Sequence, residues 1–258
     1  MLEDVETLNR KALRGELDIS KLSFHAYAYV LDKYILLKAG SALGFNCGPL
    51  LVTDSRNKER ETRGESQETR TNWDETDLEN MTVAIPGKLT TANFLVSLVF
   101  PHITHKKEYL FSDIENAVLN GEVNAGLLIH ENRFTYEAKG LKKIIDLGEY
   151  WDSLIHAPIP LGGIVIRRDL DPSVQQKVNR LIRKSVEYAF AHPESSMPYV
   201  KLHAQEMSEE VMKKHIALYV NEFSIDLGEL GEKAIQLMFN KAKELNLFQY
   251  KETQLIIE

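Results

Sequence analysis

Between Met81 and His130, apolar and polar residues alternate in short blocks that predict strands and helices in turn, without an internal repeat. Val83 to Ile85 forms an apolar strand that Pro86 and Gly87 break, and Thr90 or Thr91 caps a helix through Phe94, Leu95 and Leu98. Lys107 to Phe111 predicts a second strand. Ser112 can cap the next helix, which buries Ile114, Ala117 and Val118 and ends near Gly121. Ala125 to His130 is a third strand whose unbroken apolar run implies burial on both faces. Strand, helix, strand, helix, strand in that order calls for a parallel sheet covered by helices. Leu141 to Leu147 predicts another strand, and Pro158 to Arg168 an extended connection, entering Ile164 to Ile166, that crosses between lobes.

The flanking segments carry other periods. Val5, Leu8 and Ala12 share one face of a helix over Asp4 to Leu13, with Asp4 as N-cap and Gly15 beyond its end. Ile19 to Ser23 reads as a strand, Phe24 to Tyr34 as a helix and Pro49 to Val52 as a strand. Thr53 to Asp77 contains no aliphatic residue and reads as a solvated surface insertion, with a lid as the functional alternative. From Asp171 onward the pattern is helical: Val174, Val178, Leu181 and Ser185 share a face and His192-Pro193 stops that helix. Further helices follow at Met197 to Gln205, Ser208 to Val220 and Leu227 to Leu245. The expected organisation is α/β. Residues 1-52 with 165-258 form a larger lobe, 53-80 the polar insertion and 81-164 a smaller α/β lobe.

Composition narrows the classes. With 258 residues, 43% of them hydrophobic and 27% charged, the chain can build one large core or two small ones. The balance of 31 basic against 38 acidic residues, net −7, is the wrong sign for gripping a polyanion, so no nucleic-acid partner is expected. A single cysteine, Cys47, allows no intrachain disulfide and fits a reducing compartment. Met1 to Arg14 is amphipathic and opens with the acidic Glu3, Asp4 and Glu6, unlike an export signal, and no stretch is apolar enough to span a bilayer. The expectation is a cytoplasmic protein with no membrane partner. Oligomeric state is not encoded in any pattern of this sequence.

In open parallel sheets, ligands collect where strands end and helices begin. Three segments meet that condition. Pro86 to Ala92 leaves a strand and opens a helix, so free amides and the Thr90 and Thr91 hydroxyls can hold a carboxylate or an enolate. The plainer reading makes one threonine an N-cap. His130 ends a buried strand and can accept a proton near neutral pH, although a histidine with ordinary polar contacts is the simpler reading of that residue taken alone. Lys21, Leu22 and Ser23 end a short strand and can offer an amide and a hydroxyl, or simply start a helix. His102 and His105 lack a neighbouring third ligand, so no metal site is expected. Gly162-Gly163 lacks the spacing of a phosphate loop, and Ser23, Ser41 and Ser224 lack a nucleophile-elbow context.

Taken in order, DVETLNRKAL, KLSFHAYAYVLDKY, VAIPGKLTTANFL, NGEVNAGLLIHENRFTY, DLGEYW, PLGGIVIRRDL and YVNEFSIDLGELG closely resemble the 1,4-dihydroxy-6-naphthoate synthases of the futalosine route to menaquinone. The likeness runs from the first residues to about Phe239, and GLLIHE followed by RFTY is its most specific part. It implies a two-lobed periplasmic-binding-protein-like fold of type II and conversion of cyclic dehypoxanthinyl futalosine without a cofactor. It also implies His130 as proton acceptor and Lys21, Leu22, Ser23, Thr91 and Ala92 as substrate contacts, with Thr90 adjacent. Asn221 and Tyr136 are further cleft candidates on the same ground. The family ordinarily opens with another strand and helix, roughly thirty residues by ordinary element lengths, which this sequence lacks. The chorismate dehydratases of the same route share the fold but not the paired LIHE and RFTY. A non-catalytic receptor for an aromatic carboxylate is the alternative from another class.

Overall fold

The structure is a computed structural model and describes residues 2–56, 78, 80–204, 208–244, 246–247 and 253–258. Most of the polar insertion therefore lies outside the described residues. By internal contacts the chain divides into two units: Met1–Cys47, Leu89–Thr91 and Trp151–Glu258 form the first, Gly48–Lys88 and Ala92–Tyr150 the second.

The first unit is organised by one long strand. Helix α1 (Val5–Arg14) is capped by the Asp4 carboxylate, which accepts from the Glu6 and Thr7 amides, and is closed by Gly15 in the left-handed region. Strand β1 (Ile19–Ser23), the short helix α2 (Phe24–Tyr27), β2 (Tyr34–Leu36) and β3 (Ala42–Gly44) follow. All three strands pair antiparallel with Ile159–Arg167, the last strand of the chain. Their registers overlap along it, so β1 takes one edge while β2 and β3 share the other.

The stretch Pro158 to Arg168, expected as a crossover with a strand only at its end, is thus almost wholly strand. Its glycines have a packing reason. A Cβ on Gly162 would lie 2.7 Å from the Leu22 carbonyl oxygen, and one on Gly163 would lie 2.6 Å from Leu36 Cδ1. The helix expected over Phe24 to Tyr34 stops at Tyr27, because Tyr34 must enter the sheet opposite Arg167. Every residue from Phe24 to Ala28 is buried, so the segment shows no polar face to mark its period.

The second unit holds β4 (Leu50–Asp54), β5 (Val83–Ile85), β6 (Lys106–Glu108), β7 (Ala125–Leu128) and β8 (Leu141–Asp146) in the spatial order β6-β5-β7-β4-β8. As the alternation predicts, β5 is parallel to β6 and β7, while β4 runs antiparallel to β7 and β8. Helix α3 (Thr91–Val99) follows β5, and α4 (Ile114–Leu119) packs on the sheet. Strand β7 is buried throughout, and its core includes Leu50, Val52, Ala84, Ile114, Val118 and Leu128. Helix α5 (Leu147–Ile155) leads to the long strand, hereafter β9.

Strand β4 pairs in this sheet and β9 in the other, and the chain changes unit at Cys47/Gly48, at both ends of Leu89–Thr91 and at Tyr150/Trp151.

The C-terminal half is helical as expected: α6 (Pro172–Ala191), α7 (Met197–His203), α8 (Glu209–Tyr219), α9 (Glu222–Ile225) and α10 (Gly228–Glu244). Asp171 caps α6 and His192-Pro193 ends it. Its buried face matches the predicted one at Val178 alone among the apolar residues named for it. Val174 and Leu181 are exposed, whereas Val178 and Ile182 pack with Ile35, Leu37 and Ile166, and the buried Asn179 accepts the Ala39 amide at 3.0 Å.

Candidate functional site

Two of the three expected segments come together in the first unit. Strand β1 ends at Ser23, the N-cap position of α2. Lys21 is the exposed member of its triplet, and Leu22 and Ser23 are buried. The Ser23 amide, expected as a ligand donor, is already taken by Asn9 Oδ1 at 3.0 Å. Leu89, Thr90 and Thr91 lie in the same unit, and the Leu89 amide donates to Glu6 Oε2 at 3.1 Å. Helix α1 therefore touches both segments through polar side chains. A second tie runs from α2. His25 Nδ1 lies 3.2 Å from the Thr90 carbonyl oxygen, and since a carbonyl only accepts, Nδ1 carries the proton in the neutral ring.

The threonines divide their work. Thr91 Oγ1 donates to the Leu161 carbonyl at 2.7 Å, so this side chain ties the helix start to β9. Thr91 and Ala92 open α3, whose first-turn amides have no partner within the helix and carry the positive end of its dipole. Both threonines are buried, and so is Ala92, which the contacts assign to the second unit.

His130 belongs to the second unit, just beyond the buried strand β7. It starts a 3-10 turn over His130–Phe134 and has φ 58, a left-handed conformation that few non-glycine residues adopt. Such backbone persists only where its surroundings impose it. The imidazole is half-buried and meets the Phe111 ring edge-on, with centroids 5.0 Å apart.

Three residues on, side-chain contacts anchor the turn. Arg133 donates to the Gly48 carbonyl and, at 2.8 Å, to Asp146 Oδ2. Asp146 also receives the Gly148 and Glu149 amides on Oδ1 and so caps α5. Sequence reasoning took Arg133 only as a polar neighbour of His130 and missed Asp146, Asn9, Glu6 and His25. The signal for Asp146 is its position directly before a helix.

Tyr136 is not a surface donor. It lies within the apolar core of the second unit, its hydroxyl donates to Glu137, and burial pushes its pKa up to about 12, helped by that carboxylate. Asn221 is occupied as the cap of α9, accepting the Phe223 amide and donating to the Leu43 carbonyl at 2.7 Å.

With this geometry in place, comparison with other proteins is decisive. A family profile described as "Menaquinone biosynthesis" matches residues 1–244. The chain belongs to this family. A Thermus thermophilus relative named 1,4-dihydroxy-6-naphtoate synthase is 44% identical over 247 residues, which cover 96% of this chain and 84% of the relative. A Streptomyces coelicolor relative with the same name is 42% identical and covers 93% and 80% respectively.

A solved structure from Archaeoglobus fulgidus, 34% identical, superposes with a TM-score of 0.83 over 96% of this chain and 86% of its own. The ligand-binding component of a Staphylococcus aureus ABC-type import system has a TM-score of 0.64 at 14% identity, covering 98% and 82%. That likeness shows the fold alone: an α/β solute-binding-protein architecture. Within it this family member is an enzyme of menaquinone synthesis. Among the described residues no helix is long and apolar enough to cross a membrane.

Proposed function

We propose that the chain forms 1,4-dihydroxy-6-naphthoate from cyclic dehypoxanthinyl futalosine, as a carbon-carbon lyase, and that His130 removes the carbon-bound proton that opens the fragmentation. The observation that carries this reading is the left-handed, half-buried His130 at the end of β7, in a chain 44% identical to a relative bearing that enzyme's name. An imidazole fits proton abstraction at neutral pH because its reference pKa is near 6.5. The helix start at Thr91 and Ala92, with Thr90 beside it, suits a substrate carboxylate, since the positive end of the helix dipole favours an anion there. Lys21 adds a cation and Ser23 a hydroxyl, with the Leu22 backbone between them.

Departure of the sugar-derived part leaves an aromatic ring, and aromatisation supplies driving force without an electron sink. The reaction is accordingly proposed to need no cofactor. The protein's share is then positioning and general-base help of about a hundred- to ten-thousandfold, or about 3 to 5 kcal/mol of barrier. The test is His130→Asn, followed by naphthoate absorbance in single turnovers and by substrate binding at equilibrium. Turnover falling at least a hundredfold with Kd within about threefold is the expected result. Unchanged turnover removes His130 from the role. The fold's kinship with solute receptors sets the control: saturable binding of the substrate by the wild-type chain with no naphthoate formed identifies a receptor instead.

A further inference from the structure

Helix α1 buries an unexpected face. Asn9 is 0% exposed and Glu6 6%, yet both are polar and neither belongs to a strand end or a loop. A buried polar group costs free energy unless its hydrogen bonds are made, so the wiring of these two residues is informative. The Ser23 amide donates to Asn9 Oδ1 at 3.0 Å, which fixes the orientation of the Asn9 amide, because only oxygen can accept there. Asn9 Nδ2 then faces Ser23 Oγ at 3.2 Å and Glu6 Oε2 at 3.4 Å, and must donate to both. Glu6 Oε2 also accepts the Leu89 amide, and Oε1 is met by Arg10 Nε at 3.3 Å. With Asn9 donating into the Ser23 oxygen, the hydroxyl hydrogen is left to point elsewhere.

We propose that Glu6 and Asn9 are positioning residues that commit the buried Ser23 hydroxyl to donate, aiming one hydrogen bond at an anionic or carbonyl oxygen of the substrate. The inference deepens the functional reading and rests on it for the identity of that substrate. Glu6 holds the Asn9 amide from one side and the Leu89 amide from the other, so the same carboxylate fixes the β1 terminus and the turn leading to Thr90 and Thr91. Neither Glu6 nor Asn9 needs to touch the ligand.

Asn9→Asp tests the polarity. Two buried carboxyl groups so close share one proton, which Glu6, its pKa already pushed up by burial, carries and donates to the new side chain. The new carboxylate thus keeps the acceptor for the Ser23 amide but turns the contact with Ser23 Oγ from donor to acceptor, so the Ser23 hydroxyl hydrogen is drawn inward. The readout is the Kd of 1,4-dihydroxy-6-naphthoate, together with KM and kcat, for Asn9→Asp, Ser23→Ala and the double variant. Each single variant should weaken binding about ten- to a hundredfold, the range for a hydrogen bond to a charged group. KM should rise by the same factor while kcat changes less than about threefold. The double variant should be no weaker than the weaker single variant, because both remove one bond. Losses that multiply in the double variant, or an Asn9→Asp protein that binds like the wild type, overturn the proposal.

Should Asn9→Asp not fold, Glu6→Ala keeps Asn9 and Ser23 but takes away the acceptor that holds the Asn9 amide. Wild-type binding by Glu6→Ala, with Ser23→Ala still weakened, likewise overturns it. Amide hydrogen exchange separates this failure from that of the functional reading. Asn9→Leu should release the Ser23 amide to fast exchange whatever the protein binds, and wild-type protection at Ser23 in that variant refutes the wiring itself. A wild-type chain that neither makes nor binds the naphthoate, with Ser23 released in Asn9→Leu, overturns the functional reading and the assignment of the hydroxyl to that substrate together.

Discussion

Replacing Arg133 by Met should unlock the turn that carries His130, and the cost can be worked from the contacts. The Arg133 side chain is 12% exposed and that of its partner Asp146 3%, so the pair is buried. Removing one partner of a buried ion pair ordinarily costs about 3 to 5 kcal/mol, because the remaining charge is left in a poor solvent. Asp146 keeps the Gly148 and Glu149 amides on its other oxygen, which places the cost at the lower end, about 3 kcal/mol. Loss of the Gly48 carbonyl's donor adds about 1 kcal/mol. Methionine retains much of the apolar stem, so a packing loss contributes little.

For a chain of this size 1 kcal/mol lowers the melting temperature by about 2 to 4 °C, so the expected fall is about 8 to 16 °C. Thermal unfolding followed by circular dichroism measures it. Arg133→Met with Asp146→Asn should recover more than half of the loss, since the stranded charge is then gone while an amide oxygen still caps α5. A single variant within 3 °C of the wild type, or a double variant as unstable as the sum of the two single ones, refutes the assignment of the turn to this ion pair. At temperatures where Arg133→Met is fully folded, kcat should still be reduced, because the left-handed backbone of His130 is no longer imposed.

Two further outcomes follow from other parts of the structure. Gly162→Ala should destabilise by about 1 to 3 kcal/mol in urea titration, since its methyl group would sit 2.7 Å from the Leu22 carbonyl and force β1 away from β9. A stability equal to the wild type refutes the close approach. Lys106 donates to Ser97 Oγ at 2.6 Å, and burial lowers its pKa to about 8 from the ordinary 10.5. The unfolded chain then binds more protons than the folded one between about pH 8 and 10.5, so Lys106 makes stability rise with pH across that window. Lys106→Met should remove this component, and unfolding midpoints measured from pH 7 to 10 in both proteins check it by difference. An identical pH slope in the two proteins contradicts the assignment.

The segment from β5 to β7 was legible in the sequence because local pattern and long-range pairing agree there. Strands β5 and β7 are short apolar runs, each helix has a separate buried stripe, and Pro86, Gly87 and Gly121 mark the joints. Legibility failed where burial is complete. Tyr34–Leu36 is buried at every position, as is Phe24–Ala28, so neither shows an alternation that separates strand from helix. Helix α6 failed for the opposite reason. It is largely exposed, its surface carries Val174, Leu181 and Tyr188, and of the periodic apolar stripe Val178 packs on the core while Val174 and Leu181 do not.

The candidate site divides along the same line, and the division has a physical cause. His130, Ser23 and Thr90 to Ala92 stand out in the sequence because strand ends and helix starts expose backbone polarity, which sequence punctuation records. Glu6, Asn9, His25, Arg133 and Asp146 were missed because a charged or amide side chain is read as a solvated one until its partners are known. Asn9 lies fourteen residues from Ser23, and Glu6 lies eighty-three from Leu89. No local period can register a bond across such separations. Yet Glu6 and Asn9 are the side chains proposed to turn a permissive strand end into a defined donor, since an unpaired serine hydroxyl rotates freely and a wired one does not. Helix α1 shows the rule at its clearest. Of the expected apolar face of Val5, Leu8 and Ala12, only Ala12 is buried, and the buried face adds Glu6 and Asn9, with Asn9 bonded to the end of β1. A face of that composition against a strand is stable only with its polar groups satisfied, so it specifies one register and one orientation of β1 more strictly than an apolar face would.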